Sequence, residues 1–220
     1  MRRETLDDNL TQLQSMLDEM GPLVASAFRD ASEALLCDRP RLAEQVVSRD
    51  PVIDGHRDAI ELLAVETMNI HQPMVAPLRS VITALRCAQQ LERMGDLARH
   101  VAATVVRNGD RVVLAEQARP LFRDYGARVA AMGDKAVEVL RTHNVVLAAE
   151  LRDDDDVVDA LHREVFELMF GPEWTAGVPA AVDAALLARF HERYADHCVH
   201  LADHVVYAVT GGTVDELPAL

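Results

Sequence analysis

Apolar residues recur along this chain at intervals of three and four. In the opening stretch Leu6, Leu10, Leu13, Leu17, Met20, Val24, Ala27 and Ala31 form one stripe that a single helix can bury along its whole length. The spacing predicts a helix over about 5–36. Asp38-Arg39-Pro40 then offers a cap and a proline tolerated in an opening turn, so a second helix starts there and reaches about 69, where His71-Gln72-Pro73 breaks the chain. A third, over about 74–107, carries Leu78, Val81, Leu85, Ala88, Leu91, Met94, Ala98, Val101 and Val105, with Pro77 confined to its first turn. Asn108-Gly109-Asp110 reads as a turn.

The plan then repeats, with helices predicted over about 115–141, 145–170 and 180–210 and a stop at Gly211-Gly212. Moving the first half along by 105 residues superposes Gly21 on Gly126, Val24 on Val129, Leu35 on Leu140, Asp50 on Asp155 and Asp54 on Asp159. For the third helix of each half the shift is 100, so the second copy has lost five residues, most simply from the loop before its last helix. The expected fold is all-α: two tandem three-helix repeats, residues 1–109 and 110–220, with a pseudo-twofold internal repeat. Short connections make neighbouring helices antiparallel, either as two bundles or as one elongated six-helix body.

Composition agrees with helices, since half of the 220 residues are apolar while Gly and Pro number only 10 and 9. A net charge of -14 opposes binding to nucleic acid or to an anionic membrane face. No apolar run approaches the roughly 18 residues of a spanning helix, and Met1-Arg2-Arg3 leads straight into Glu4, Asp7 and Asp8 without a secretory core segment. Cys37, Cys87 and Cys198, odd in number and set in apolar stretches, read as small core residues of a protein in a reducing compartment. A cytoplasmic location is expected.

The candidate chemistry lies in a segment that occurs twice. Glu92-Arg93-Met94-Gly95-Asp96, followed by His100, returns as Glu192-Arg193-Tyr194-Ala195-Asp196, followed by His200. Carboxylates four apart share one helical face and repel by roughly 0.2–0.5 kcal/mol, more as water is withdrawn. Asp50 with Asp54 and Asp155 with Asp159 add matching pairs on the second helices. If helices two and three pack side by side, four carboxylates per half converge on a cation that prefers oxygen ligands, and His200 beside Asp196 would favour iron, zinc or manganese over magnesium. The other reading is an ordinary salt-bridged face: Arg99 lies three residues past Asp96, whereas Val199 stands at that place in the second copy. Both readings stand at this point.

Enzyme chemistry finds little support. Residues three past Glu92 and Glu192 are Gly95 and Ala195, so the Glu-x-x-His pairs of ferritin-type di-metal sites are absent, as are a Gly-rich phosphate loop and a nucleophile elbow. The expectation is a protein that is not an enzyme. A metal-dependent carboxylate enzyme or a metal-storage helical protein is the alternative.

Two three-helix repeats, each ending in a helix with Glu-Arg-x-x-Asp, together with Gln72-Pro73 ahead of Leu78-Arg79, resemble the PhoU family. The resemblance implies a cytoplasmic negative regulator of the phosphate-starvation response. It would act between the phosphate ABC transporter, through its ATPase subunit, and a sensor histidine kinase, commonly as a homodimer. It also implies that iron, zinc, manganese or magnesium ions can be held at Glu92 with Asp96, Glu192 with Asp196, Asp50 with Asp54, and Asp155 with Asp159.

Overall fold

The computed structural model describes residues 5–109 and 111–212; Asp110 of the predicted turn and the opening residues 1–4 lie outside them. Six helices follow in order: α1 Leu6–Leu36, α2 Pro40–His71, α3 Ala76–Asn108, α4 Arg119–Thr142, α5 Val145–Phe170 and α6 Gly177–Thr210. Thr5 caps α1 through a reciprocal pair of hydrogen bonds with Asp8, at 3.0 and 3.2 Å. The Asn144 side chain accepts from the Val146 and Leu147 amides at the start of α5. Pro22 and Pro51 sit inside α1 and α2 but on exposed turns, which open to solvent the carbonyls that a proline leaves unpaired.

Two expectations are corrected. The fourth helix begins at Arg119 rather than near 115, because Pro120 fits only a first turn; a 3-10 turn over Glu116–Ala118 leads into it. The five residues lost from the second copy do not come from the loop before its last helix. That loop is two residues longer than its counterpart in the first half, and it is α5, 26 residues against 32 in α2, that is shortened.

Helices α2, α3, α6 and α5 lie side by side in one layer, with α1 behind the first pair and α4 behind the second. Across the middle, α3 runs antiparallel to α6: Gln90 meets His197, Thr83 meets His204 and Arg107 meets Asp183. α1 is antiparallel to α4 in the same way, with Gln14 bonded to the Leu140 carbonyl and Arg119 to that of Leu36. One hydrophobic core runs through both halves, from Leu13, Leu17 and Met20 to Leu201 and Val205. At its centre Phe28 of α1 packs on Tyr194 of α6 with ring centroids 4.2 Å apart, and against the edge of His191. Cys87 and Cys198 are buried in this core, as expected, but Cys37 is exposed at the end of α1. Trp174 packs the α5–α6 loop onto the core and donates its indole N–H to the Gly177 carbonyl.

Candidate functional site

The layer of four helices has two outer seams, α2–α3 and α5–α6. The repeated carboxylates fall in them. On α3 the residues that face α2 include Gly95, whose bare Cα lets Ile53 approach, and Glu92 and Asp96 flank it at the rim. All four residues Asp50, Asp54, Glu92 and Asp96 are partly buried. In the first half a guanidinium closes the group. Arg99 pairs through Nε with Asp50 Oδ2 and donates from Nη2 to Asp96 Oδ1, both at 2.8 Å, and so ties α2 to α3. Burial raises the Asp50 carboxyl above its ordinary range, with the Arg99 charge working against it; burial likewise raises Glu92, opposed by Arg93.

The second seam has the same carboxylates, and the arginine that crosses it, Arg152 of α5, pairs with Asp203 of α6 and not with a carboxylate of the repeated set. Asp155 turns inward from an acidic run whose other members stay at the surface, Asp154 being bound by Lys135. Its Oδ1 is buried with no hydrogen-bond partner. Burial and then the charges of Asp196, Asp159 and Glu192 push the Asp155 carboxyl up to about 6. Glu192 is raised too, first by burial and then by Asp196, with Arg189 opposing. The structure therefore brings Asp155, Glu192 and Asp196 within electrostatic reach of one another; Asp159 acts on them from an exposed position. His200 is exposed, and its nearest ring neighbour is His197, at 6.1 Å between centroids.

The chemistry of the two donor sets differs. Among the described residues no group of three or more His, Cys, Asp or Glu side chains is already drawn together as a metal cage. In the first seam the guanidinium stands where a cation would bridge Asp50 and Asp96, so that set does not fit a metal ion. In the second seam Asp155, half-buried with an orphaned oxygen, faces Asp196 and Glu192; Arg189 pairs with Glu192 along α6 but leaves the Asp155 oxygen open, and that set does fit an oxygen-preferring divalent ion. Sequence reasoning found the four pairs and noticed that Val199 stands where Arg99 does. His191, one of the histidines clustered late in the chain, lies buried in the central seam with its pKa driven down to about 4 by burial; nothing in a helical stripe distinguishes such a core histidine from a surface one.

No helix among the described residues is long and apolar enough to cross a membrane. The PhoU domain matches residues 17–105 and again 122–205, one copy in each half. The chain is 36% identical over 209 residues to the phosphate-specific transport system accessory protein PhoU homolog 2 of Mycobacterium tuberculosis, covering 95% of this chain and 98% of that one. It is also 36% identical over 217 residues to PhoU homolog 1 of the same organism, covering 98% of each. The crystal structure of PhoU from Pseudomonas aeruginosa superposes with a TM-score of 0.87 at 26% identity, over 94% of this chain and 100% of the other. Tandem helical repeats, paired carboxylate seams and this likeness over almost the full length establish that the chain belongs to the PhoU family, whose members are accessory proteins of phosphate transport and not enzymes.

Proposed function

We propose that this protein is a cytoplasmic regulator of phosphate uptake and signalling that represses the phosphate-starvation response when phosphate is plentiful. It does so as a homodimer, between the ATPase subunit of the phosphate ABC transporter and a sensor histidine kinase. What carries the transport role is the full-length likeness to accessory proteins of phosphate-specific transport. The surface supports an adaptor: long helices present charged ridges, and the sequence offers no nucleophile elbow or phosphate loop. Deleting the gene should leave phosphate-response genes switched on in abundant phosphate. A deletion strain in which those genes stay silent in both scarce and abundant phosphate overturns the repressor role.

Cation binding belongs to the second seam in this proposal. Asp155, Glu192 and Asp196 would hold the ion, with Asp159 adding charge from the rim, and the ion would supply between Asp155 and Asp196 the positive charge that Arg99 supplies between Asp50 and Asp96 in the first seam. Iron, zinc, manganese and magnesium all suit oxygen donors, and an imidazole such as His200 is not required for them. Because the ion binds the folded form, it should raise the melting temperature with the logarithm of its concentration once that exceeds its Kd. Protein purified without chelator should carry metal that is lost in Asp155→Asn but kept in Asp50→Asn. Equal loss in both variants, or no metal in the parent, removes the second-seam site.

A further inference from the structure

In the repeated Glu-Arg-x-x-Asp segment the two carboxylates turn into the outer seams, and the arginine between them stays on the outer surface, paired only within its own helix. Arg93 and Arg193 expose 53% and 45% of their side chains. Their ion pairs are long and local: Arg93 lies 3.4 Å from Glu92 and 3.5 Å from Asp96, and Arg193 lies 3.8 Å from Asp196. Contacts of this kind are weak and give way easily. The antiparallel register of α3 and α6, fixed by the 2.7 Å bond between His197 Nδ1 and Gln90 Oε1, sets the two arginines level with each other across the groove between the helices. His197 sits in that groove, its ring held by Gln90, close enough to feel the charge of both guanidiniums. Two turns further along α3 the exposed Arg86 approaches His204 in the same way.

We propose that the α3–α6 groove binds a tetrahedral dianion of the phosphate class, gripped by Arg93 and Arg193 with His197 beneath it. Planar guanidiniums present paired N–H donors that match two oxygens of such an anion, and repeat-related arginines approach it from opposite sides. The acidic seams on both flanks keep the positive strip narrow. A broad polyanion such as nucleic acid or a lipid face would meet Glu92 and Asp96 on one side and Glu192 and Asp196 on the other, whereas a single tetrahedral group fits between them. The ligand is either free inorganic phosphate or a phosphoryl group carried by a partner protein. The site stands on the two arginines and not on the regulatory role, and it is tested without cells.

The experiment titrates the full-length protein with inorganic phosphate in chloride buffer at one fixed pH, followed by calorimetry and by the ring resonances of His197. Saturable binding that sulfate displaces and nitrate does not is the expected result. Arg93→Gln and Arg193→Gln should each weaken it by about tenfold, the share of one charge-assisted contact. Arg128→Gln, which breaks an exposed pair with Asp124 on α4, should leave it unchanged. A peptide bearing one phosphoserine, compared with its unphosphorylated form, separates the sources. Binding of the phosphopeptide but not of free phosphate assigns the site to a modified partner, and the reverse assigns it to the free ion. If neither probe binds the parent, or if a double Arg93→Gln, Arg193→Gln variant with an unchanged melting profile binds as the parent does, the site does not exist.

Discussion

Asp155 shows how one side chain can be at odds with its surroundings. Its neighbours in sequence, Asp153, Asp154 and Asp156, meet water or Lys135, but the helical turn aims Asp155 into the α5–α6 seam, where one oxygen finds no donor. Its carboxyl, ordinarily near 3.8, is raised to about 6, first by burial and then by Asp196, Asp159 and Glu192. The folded state thus holds this proton more tightly than the unfolded chain does. The resulting stabilisation is complete below about pH 4 and is lost as pH rises through about 6. Asp155→Asn cannot ionise, so in metal-free protein it should match the parent near pH 4 and be more stable at pH 7, by about 1 kcal/mol once screening at this half-buried site is allowed for. Melting temperatures of the two proteins across pH 4–8 provide the measurement, and a difference that does not change with pH overturns the account. The pairing of carboxylates was legible from their spacing of four. That Asp155 lacks a counter-charge while Asp50 has one depended on Arg99 reaching across from α3 to α2, a contact between helices that no spacing along one helix reveals.

At the scale of helices, stripes of period 3.6 settled how many there are, because burial of an apolar stripe outweighs the modest differences in intrinsic propensity, but left open whether they form two bundles or one body. Helix ends were legible only where particular residues announce them: Asn144 and Gly171-Pro172 bounded α5 correctly at 145–170, whereas Pro120 delays α4 past the start that its apolar stripe suggested. Where two helices come closest was not legible at all. Gly133 of α4 lies under Tyr194 of α6, and a β-carbon there would stand 2.8 Å from the phenol oxygen and 3.2 Å from the ring. The ring is fully buried and held by Phe28, so it cannot retreat. Gly133→Ala gains about 1 kcal/mol of helix propensity but incurs overpacking of about 1–3 kcal/mol, so the net result should be a loss of stability. A lower midpoint in urea, with an unchanged slope, is the expected readout. A midpoint at or above that of the parent would show that α4 and α6 have room to spare.

The whole molecule joins two halves that have become complementary rather than equal. The shift of 105 residues that aligns the first helices places Gly133 at the position of Phe28, and the shift of 100 places Tyr194 at that of Met94. In the central seam, then, the large ring comes from the first helix in one half and from the last helix in the other, and each fits the space its counterpart leaves. Polar bonds cross the same seam, from Gln90 to His197 and from Gln14 to the Leu140 carbonyl. A first half paired with its own copy would bring two Phe28 rings and two Met94 side chains together and overfill the centre; a second half paired with itself would bring two Gly133 residues together and leave a void. Either fault typically costs one to several kcal/mol, a large share of the stability of a domain. Fragments 1–109 and 110–220 made separately should therefore be weakly folded or associate poorly on their own, and should recover full helicity as a one-to-one complex when mixed. Circular dichroism and light scattering of each fragment and of the mixture test this. Two fragments that each fold as stable monomers, and ignore one another when mixed, would mean that the halves are independent bundles and that the shared core contributes little.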